Sequence, residues 1–203
     1  MPSRSQTGHR LILASALFAW IAVAAAGNFA VAEQSPAAVP SSGTMPRYDS
    51  NRNLTLPSDY RQWILVGSSL GLSYAEGALD HEMFVSTLME PSAYRHFTET
   101  GTFREGTMLA LVLQGVGTNA APARQGQFAT DVHVVEMAVK DSSRVAEGWA
   151  YYGFGGPMAG GYRSSAAPEP KDRCYDCHAQ HAARDNVFTQ FYGLLNEAAP
   201  RAK

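Results

Sequence analysis

The chain contains two cysteines, and they stand together. In "RCYDCHAQH" (Arg173 to His181), Cys174 and Cys177 are three positions apart and His178 follows the second. A Cys-x-x-Cys pair makes a strained disulfide loop and more often marks redox or metal chemistry. A thioredoxin-like site would place it at the end of an early strand opening a helix, whereas this pair follows the strands read below. Zinc would need a fourth ligand, which His181 could supply. Covalent haem uses all three residues: two thiols can add to the two vinyl groups of one porphyrin, and His178 is then placed to bind the iron from the proximal side. The motif predicts one haem c per chain, held by Cys174 and Cys177 with His178 as iron ligand.

The sixth iron position separates electron carriers from ligand binders. Small electron-transfer cytochromes take a methionine downstream of the motif, and here none follows His178; Met83, Met89, Met108, Met137 and Met158 all precede it. Each reads better as core filler, since thioethers pack irregular gaps well, with Met158 in "GGPMAGGY" the alternative. His181 lies one helical turn on and reads as a surface residue. The distal side is therefore expected to lack a strong protein ligand.

The elements that must position these groups follow from pattern. Residues 1–32 read as a cleaved signal peptide: Arg4 and Arg10, the apolar run Leu11 to Ala26, then small residues up to Ala32. Removing their two arginines takes the formal charge from −2 to −4, a balance that excludes a nucleic-acid partner. A periplasmic protein without stable membrane insertion is expected. Residues 33–56, rich in Pro, Ser, Gly and Asn, read as a flexible leader, and 57–198 as one domain. Within it, 57–67 reads as a short helix carrying Tyr60, Trp63 and Ile64. "EPSAYRHFTETG" reads as a second helix, capped by Ser92 and stopped by Gly101. Strands follow in "TMLALVLQGVG", "FATDVHVVEMAVKD" and "GWAYYGFGG". "DNVFTQFYGLLNEA" returns to helix, with Asp185 or Asn186 as cap and Val187, Phe191 and Leu194 along one face. The fold class is α+β: a mainly antiparallel sheet with short flanking helices and a C-terminal haem-attachment segment.

"YRQWILVG", "PSAYRHFTETGTFREGT", "GWAYYGF" and "CYDCHAQHAARDNVFTQFY" resemble successive blocks of the cytochrome P-460 family, which includes the cytochrome c'-beta proteins. The resemblance covers about Tyr60 to Tyr192. It implies the same sheet-based fold, one haem c per subunit and a homodimer. It also implies roles for single positions. The lysine that hydroxylamine-oxidising members cross-link to the porphyrin matches Leu111, and none of Lys140, Lys171 and Lys203 replaces it. Their distal arginine matches Val85, and their distal glutamate matches Glu136. Strand alternation puts Glu136 on one face with Val132, Val134 and Ala138, opposite His133, Val135, Met137 and Val139, either solvated or over the haem as an acid or base. Arg104 in "TFREGT" reads as a loop ion pair or a haem-propionate partner.

Three functions follow. The first is a distal pocket, lined by Leu111 and Val85, that binds nitric oxide or a similar small gaseous or nitrogenous ligand. The second is a hydroxylamine or nitric oxide oxidoreductase using Glu136. The third is an electron-transfer cytochrome serving a redox partner protein.

Overall fold

The computed structural model describes residues 43–72 and 82–200; the expected signal peptide and His81 lie outside the described residues. Eleven strands and helices are introduced here in chain order. β1 (Leu54–Thr55) precedes a one-turn 3-10 helix at Tyr60–Gln62, and β2 (Ile64–Leu70) follows it. β3 (Phe84–Met89), α1 (Pro91–Thr100), β4 (Met108–Thr118), β5 (Gln127–Lys140) and β6 (Trp149–Gly156) form the centre. β7 (Gly161–Tyr162), β8 (Ser165–Ala166), α2 (Tyr175–His181) and α3 (Gly193–Ala198) complete the order. The sheet runs β2-β3-β4-β5-β6-β7 with every pair antiparallel, and β1 pairs with β8 apart from it.

Each face of the six-stranded sheet carries its own core. On one face Met108, Ala110, Val135, Met137, Val139 and Tyr152 pack against Leu54, Tyr60 and Trp63. On the other, Met89, Leu109, Ala138, Trp149 and Tyr151 pack against Phe97 of α1, Phe188, Tyr192 and Leu195, with Cys174, just before α2, and Cys177 of α2 at the margin. The period-2 alternation of the central strands thus buries both of their faces. Among the described residues, no helix is long and apolar enough to cross a membrane.

α1 has a local cause at each end. Pro91 is its first residue and pre-sets φ. Gly101 closes it in the left-handed region (φ 72°), its N–H donating to Phe97 O at 2.7 Å. The cap is Glu90 rather than the expected Ser92: the Glu90 carboxylate accepts from Ser92 N (3.0 Å) and Ala93 N (2.8 Å), and the Ser92 hydroxyl also donates to it. Arg104 closes this network against Ser92 Oγ and, at 3.7 Å, Glu90. Its role is the loop ion pair.

Four other expectations are corrected. The helix read over 57–67 shrinks to one 3-10 turn, because Trp63 ends it and Ile64 onward pairs with β3. β3 itself, not foreseen, is held on both sides, and pairing decides where a short apolar run is ambiguous. Of the stretch assigned to a leader, residues 43–56 are built in: Leu54 is fully buried, and the Tyr48 hydroxyl donates to Asp141 at 2.9 Å. The final helix is broken, since Asp185 and Asn186 both take positive φ (45° and 58°) and leave a 3-10 turn at Thr189–Phe191 before α3. Val187 is buried while Leu194 is 53% exposed, so the expected single face does not exist.

Candidate functional site

The floor of the site is read from strand register, because directly paired residues on neighbouring strands share a face. Thr87 pairs with Leu111, Leu111 with Glu136, and Glu136 with Gly153. The next pair along is Val85 with Leu113. Three residues expected from different parts of the chain, Val85, Leu111 and Glu136, are thereby brought to one wall. Val132 is not with them. The register steps from Leu113/Val134 to Gln114/Val132, so His133 is an extra residue on β5, and this bulge turns Val132 onto the opposite core. His133 itself is half-buried beside Gly115 rather than in the core.

Above this floor lies a cleft of about 480 Å³, lined by Leu72, Met83, Val85, Leu111, Leu113 and Phe188 among others, with Cys174 facing it from the start of α2 and Cys177 and His178 from α2 itself. A deeper extension reaches Leu109, Ala138, Tyr151, Glu169 and Asn186. The size falls within the range of roughly 300–1,000 Å³ usual for small-molecule and cofactor sites.

His178 is held from three sides. Its ring lies 4.3 Å from the Tyr151 ring centroid and 4.4 Å from that of Phe188. Nδ1 stands 2.8 Å from Asn186 O. A carbonyl oxygen can only accept, so Nδ1 carries the proton and Nε2 keeps its lone pair free for a metal. Burial holds the imidazole below its usual pKa against the opposing effect of that hydrogen bond, which favours the neutral, ligating form. The loop that presents the carbonyl is tied down in turn. Asp185 accepts from Lys140 Nζ at 2.6 Å and from Trp149 Nε1 at 3.2 Å, and Arg184 Nη1 donates to Gly101 O at 2.5 Å.

One corner of the cleft is polar. Arg173 pairs with Glu169 at 3.4 Å, and both line the cleft beside Glu136. Gly153 makes room for Glu169: a Cβ there would come 2.8 Å from Glu169 Oε1. Glu136 is open to water from within the cleft, but the surrounding protein withdraws it from bulk solvent. That withdrawal raises its carboxyl above the ordinary range, Arg173 opposes the rise, and Glu169 adds to it. Burial likewise pushes the Cys174 thiol up, with Glu136 and Glu169 acting in the same direction. Sequence reasoning missed Arg173, Glu169 and Asn186. Arg173 could have been suspected from its place beside Cys174; a backbone acceptor such as Asn186 O leaves no sequence signal.

A raised carboxyl has a definite sign in stability. With the folded-state pKa above the unfolded one, the ionised form costs stability at neutral pH; the cost begins to fall as pH drops through the folded pKa and is gone below the unfolded one. Glu136→Gln should hold or raise the melting temperature at pH 7 and reduce the stability gained on acidification. A lower melting temperature at pH 7 in thermal scans would contradict the assignment.

The remaining candidates separate cleanly. Met89, Met108 and Met137 are core residues, and Met158 is 72% exposed; Met83 lines the main cleft, and Met137 also borders its deeper extension. His181 is exposed. Among the described residues, no three His, Cys, Asp or Glu side chains converge to hold a metal ion by themselves. One imidazole with a free Nε2, two thiols beside it and a broad apolar wall instead suit a group that brings its own nitrogen ligands, as a porphyrin does. Sheet, cleft and donor set together fit a haem protein of the cytochrome type. A model of the cytochrome P460 family matches residues 57–189, well over half of the chain, and the protein belongs to that family. No curated protein matches the sequence.

Proposed function

We propose that the protein is an exported c-type cytochrome with one covalent haem, in which His178 is the only protein ligand to iron and the opposite side takes up nitric oxide or a similar small neutral gas. The observation that carries this reading is the wall formed by Val85, Leu111 and Leu113, three side chains without a lone pair, brought together by register on the sheet beneath α2. Haem, when bound, supplies an iron centre able to take a small diatomic ligand. The chain's own residues do the rest. Cys174 and Cys177 anchor the group, Asn186 O fixes the His178 tautomer, and Val85, Leu111 and Leu113 disfavour charged ligands along the apolar part of the wall, away from the polar corner of Glu136, Glu169 and Arg173. The basic, apolar start of the chain supports export to the periplasm. A homodimer belongs to the same proposal.

Two other readings each have an observation behind them. Glu136, at the wall with a raised carboxyl, suits proton transfer and so an oxidoreductase acting on hydroxylamine or nitric oxide. Met83 in the lining offers the sulfur that an electron carrier would use. Absorption and resonance Raman spectra of the reduced protein separate the three. The expected result is a five-coordinate, high-spin form that binds nitric oxide readily and turns over hydroxylamine slowly. A six-coordinate, low-spin spectrum without added ligand would establish the carrier, and rapid turnover with an artificial acceptor the enzyme.

A further inference from the structure

The oxygen that fixes His178 serves two donors. Asn186 O lies 2.8 Å from His178 Nδ1 and also accepts from the Tyr151 hydroxyl at 3.1 Å. Tyr151 comes from β6, His178 from α2 and Asn186 from the loop after it, so three separate elements meet on one atom. The arrangement is built rather than incidental. Asp185 and Asn186 both adopt left-handed backbone, Asp185 is anchored by Lys140 and Trp149, and the Tyr151 ring packs on the imidazole it would influence. The phenol is buried, and burial raises its pKa well above the usual value, so it remains a donor throughout the physiological range.

We infer that Tyr151 is a positioning residue that sets the donor strength of His178 by sharing the Asn186 carbonyl. This deepens the proposed function and rests on its assignment of His178 as the iron ligand. A carbonyl oxygen has two lone pairs but one pool of electron density. A hydrogen bond from Tyr151 draws on that density and leaves a weaker acceptor for Nδ1–H. A weaker Nδ1–H···O bond gives the imidazole less imidazolate character, and Nε2 becomes a weaker donor toward a metal. Partners of this kind tune both ligand basicity and reduction potential. A weaker proximal bond in turn leaves the iron more responsive to a gas arriving on the other side.

Tyr151→Phe keeps the ring on His178 and removes only the second donor. In the haem-loaded protein it should move the iron–histidine stretch of the reduced form to higher frequency and lower the reduction potential, changing the reduction equilibrium on the order of a fewfold, the scale of one neutral hydrogen bond. A merely structural hydrogen bond would lower thermal stability and leave both readouts in place. Incorporation of 3-fluorotyrosine at position 151, a stronger donor of nearly the same size, should shift both readouts the opposite way and decides the matter if Tyr151→Phe does not fold. Unchanged values, or shifts of the reverse sign, would overturn the role of Tyr151. A wild-type reduced form already six-coordinate would instead overturn the gas-binding reading, and the potential difference between wild type and variant would still judge Tyr151.

Discussion

Haem should stay with the protein through denaturing electrophoresis, and the double variant Cys174→Ala/Cys177→Ala should lose it completely. The chemistry is addition of each thiol across a vinyl C=C bond: a carbon–sulfur bond forms, the thiol hydrogen passes to the neighbouring carbon, and nothing is left over. The structure meets its requirements. Both cysteines are free, partly accessible and on the cleft that His178 also faces. Each single variant can form only one thioether and should retain haem less completely. Haem staining of denaturing gels, with intact mass of the wild type, reads the outcome. A haem-free wild type, or stain persisting in the double variant, would remove the basis for covalent attachment.

The second large effect falls on stability. Glu90→Ala should destabilise the protein by about 3 kcal/mol, combining loss of a helix cap with loss of a buried partner for a guanidinium. Glu90 is 1% exposed, yet it accepts hydrogen bonds from Ser92 N, Ala93 N, the Ser92 hydroxyl and Thr44 N, and it faces Arg104. Truncation strands these donors at the start of α1, whose Ala93 and Phe97 pack into the core on the site face. Arg104 is partly open to solvent, which keeps the effect at the lower end of what breaking a buried pair costs. Urea titrations should show it as a shifted midpoint with little change in slope. A loss under about 1 kcal/mol would mean that the network is dispensable.

Glu90 also shows how a local rule can name the right place and the wrong residue. Ser92, the favoured cap by type, lies one residue inside the helix, and its own amide is one of the two that the longer Glu90 side chain takes, with that of Ala93. Lys140 is a parallel case. In the sequence it is only the end of a strand; in the fold its ammonium bridges Phe103 O and Asp185, and so steadies the loop that aims at His178.

What the sequence by itself determined is what is encoded over a few neighbouring residues. Cys174, Cys177 and His178 belong to one segment, so their spacing alone was enough to suggest haem chemistry. The apolar run of β4, the alternation of β5 and the aromatic-rich run of β6 marked these segments as strands, and the resemblance to the cytochrome P460 family brought Leu111 into consideration. The tertiary structure alone decided whatever depends on pairing between distant segments. The bulge at His133 moved Val132 to the other core, because one extra residue reverses the side chains that follow it up to the next register shift. Pairing with β3 overrode the helical pattern around Trp63 and Ile64. The polar corner of Glu136, Glu169 and Arg173, and the carbonyl shared by His178 and Tyr151, unite groups from separate elements. The carbonyl is beyond any sequence reading, since every residue has one and only the fold determines where it points.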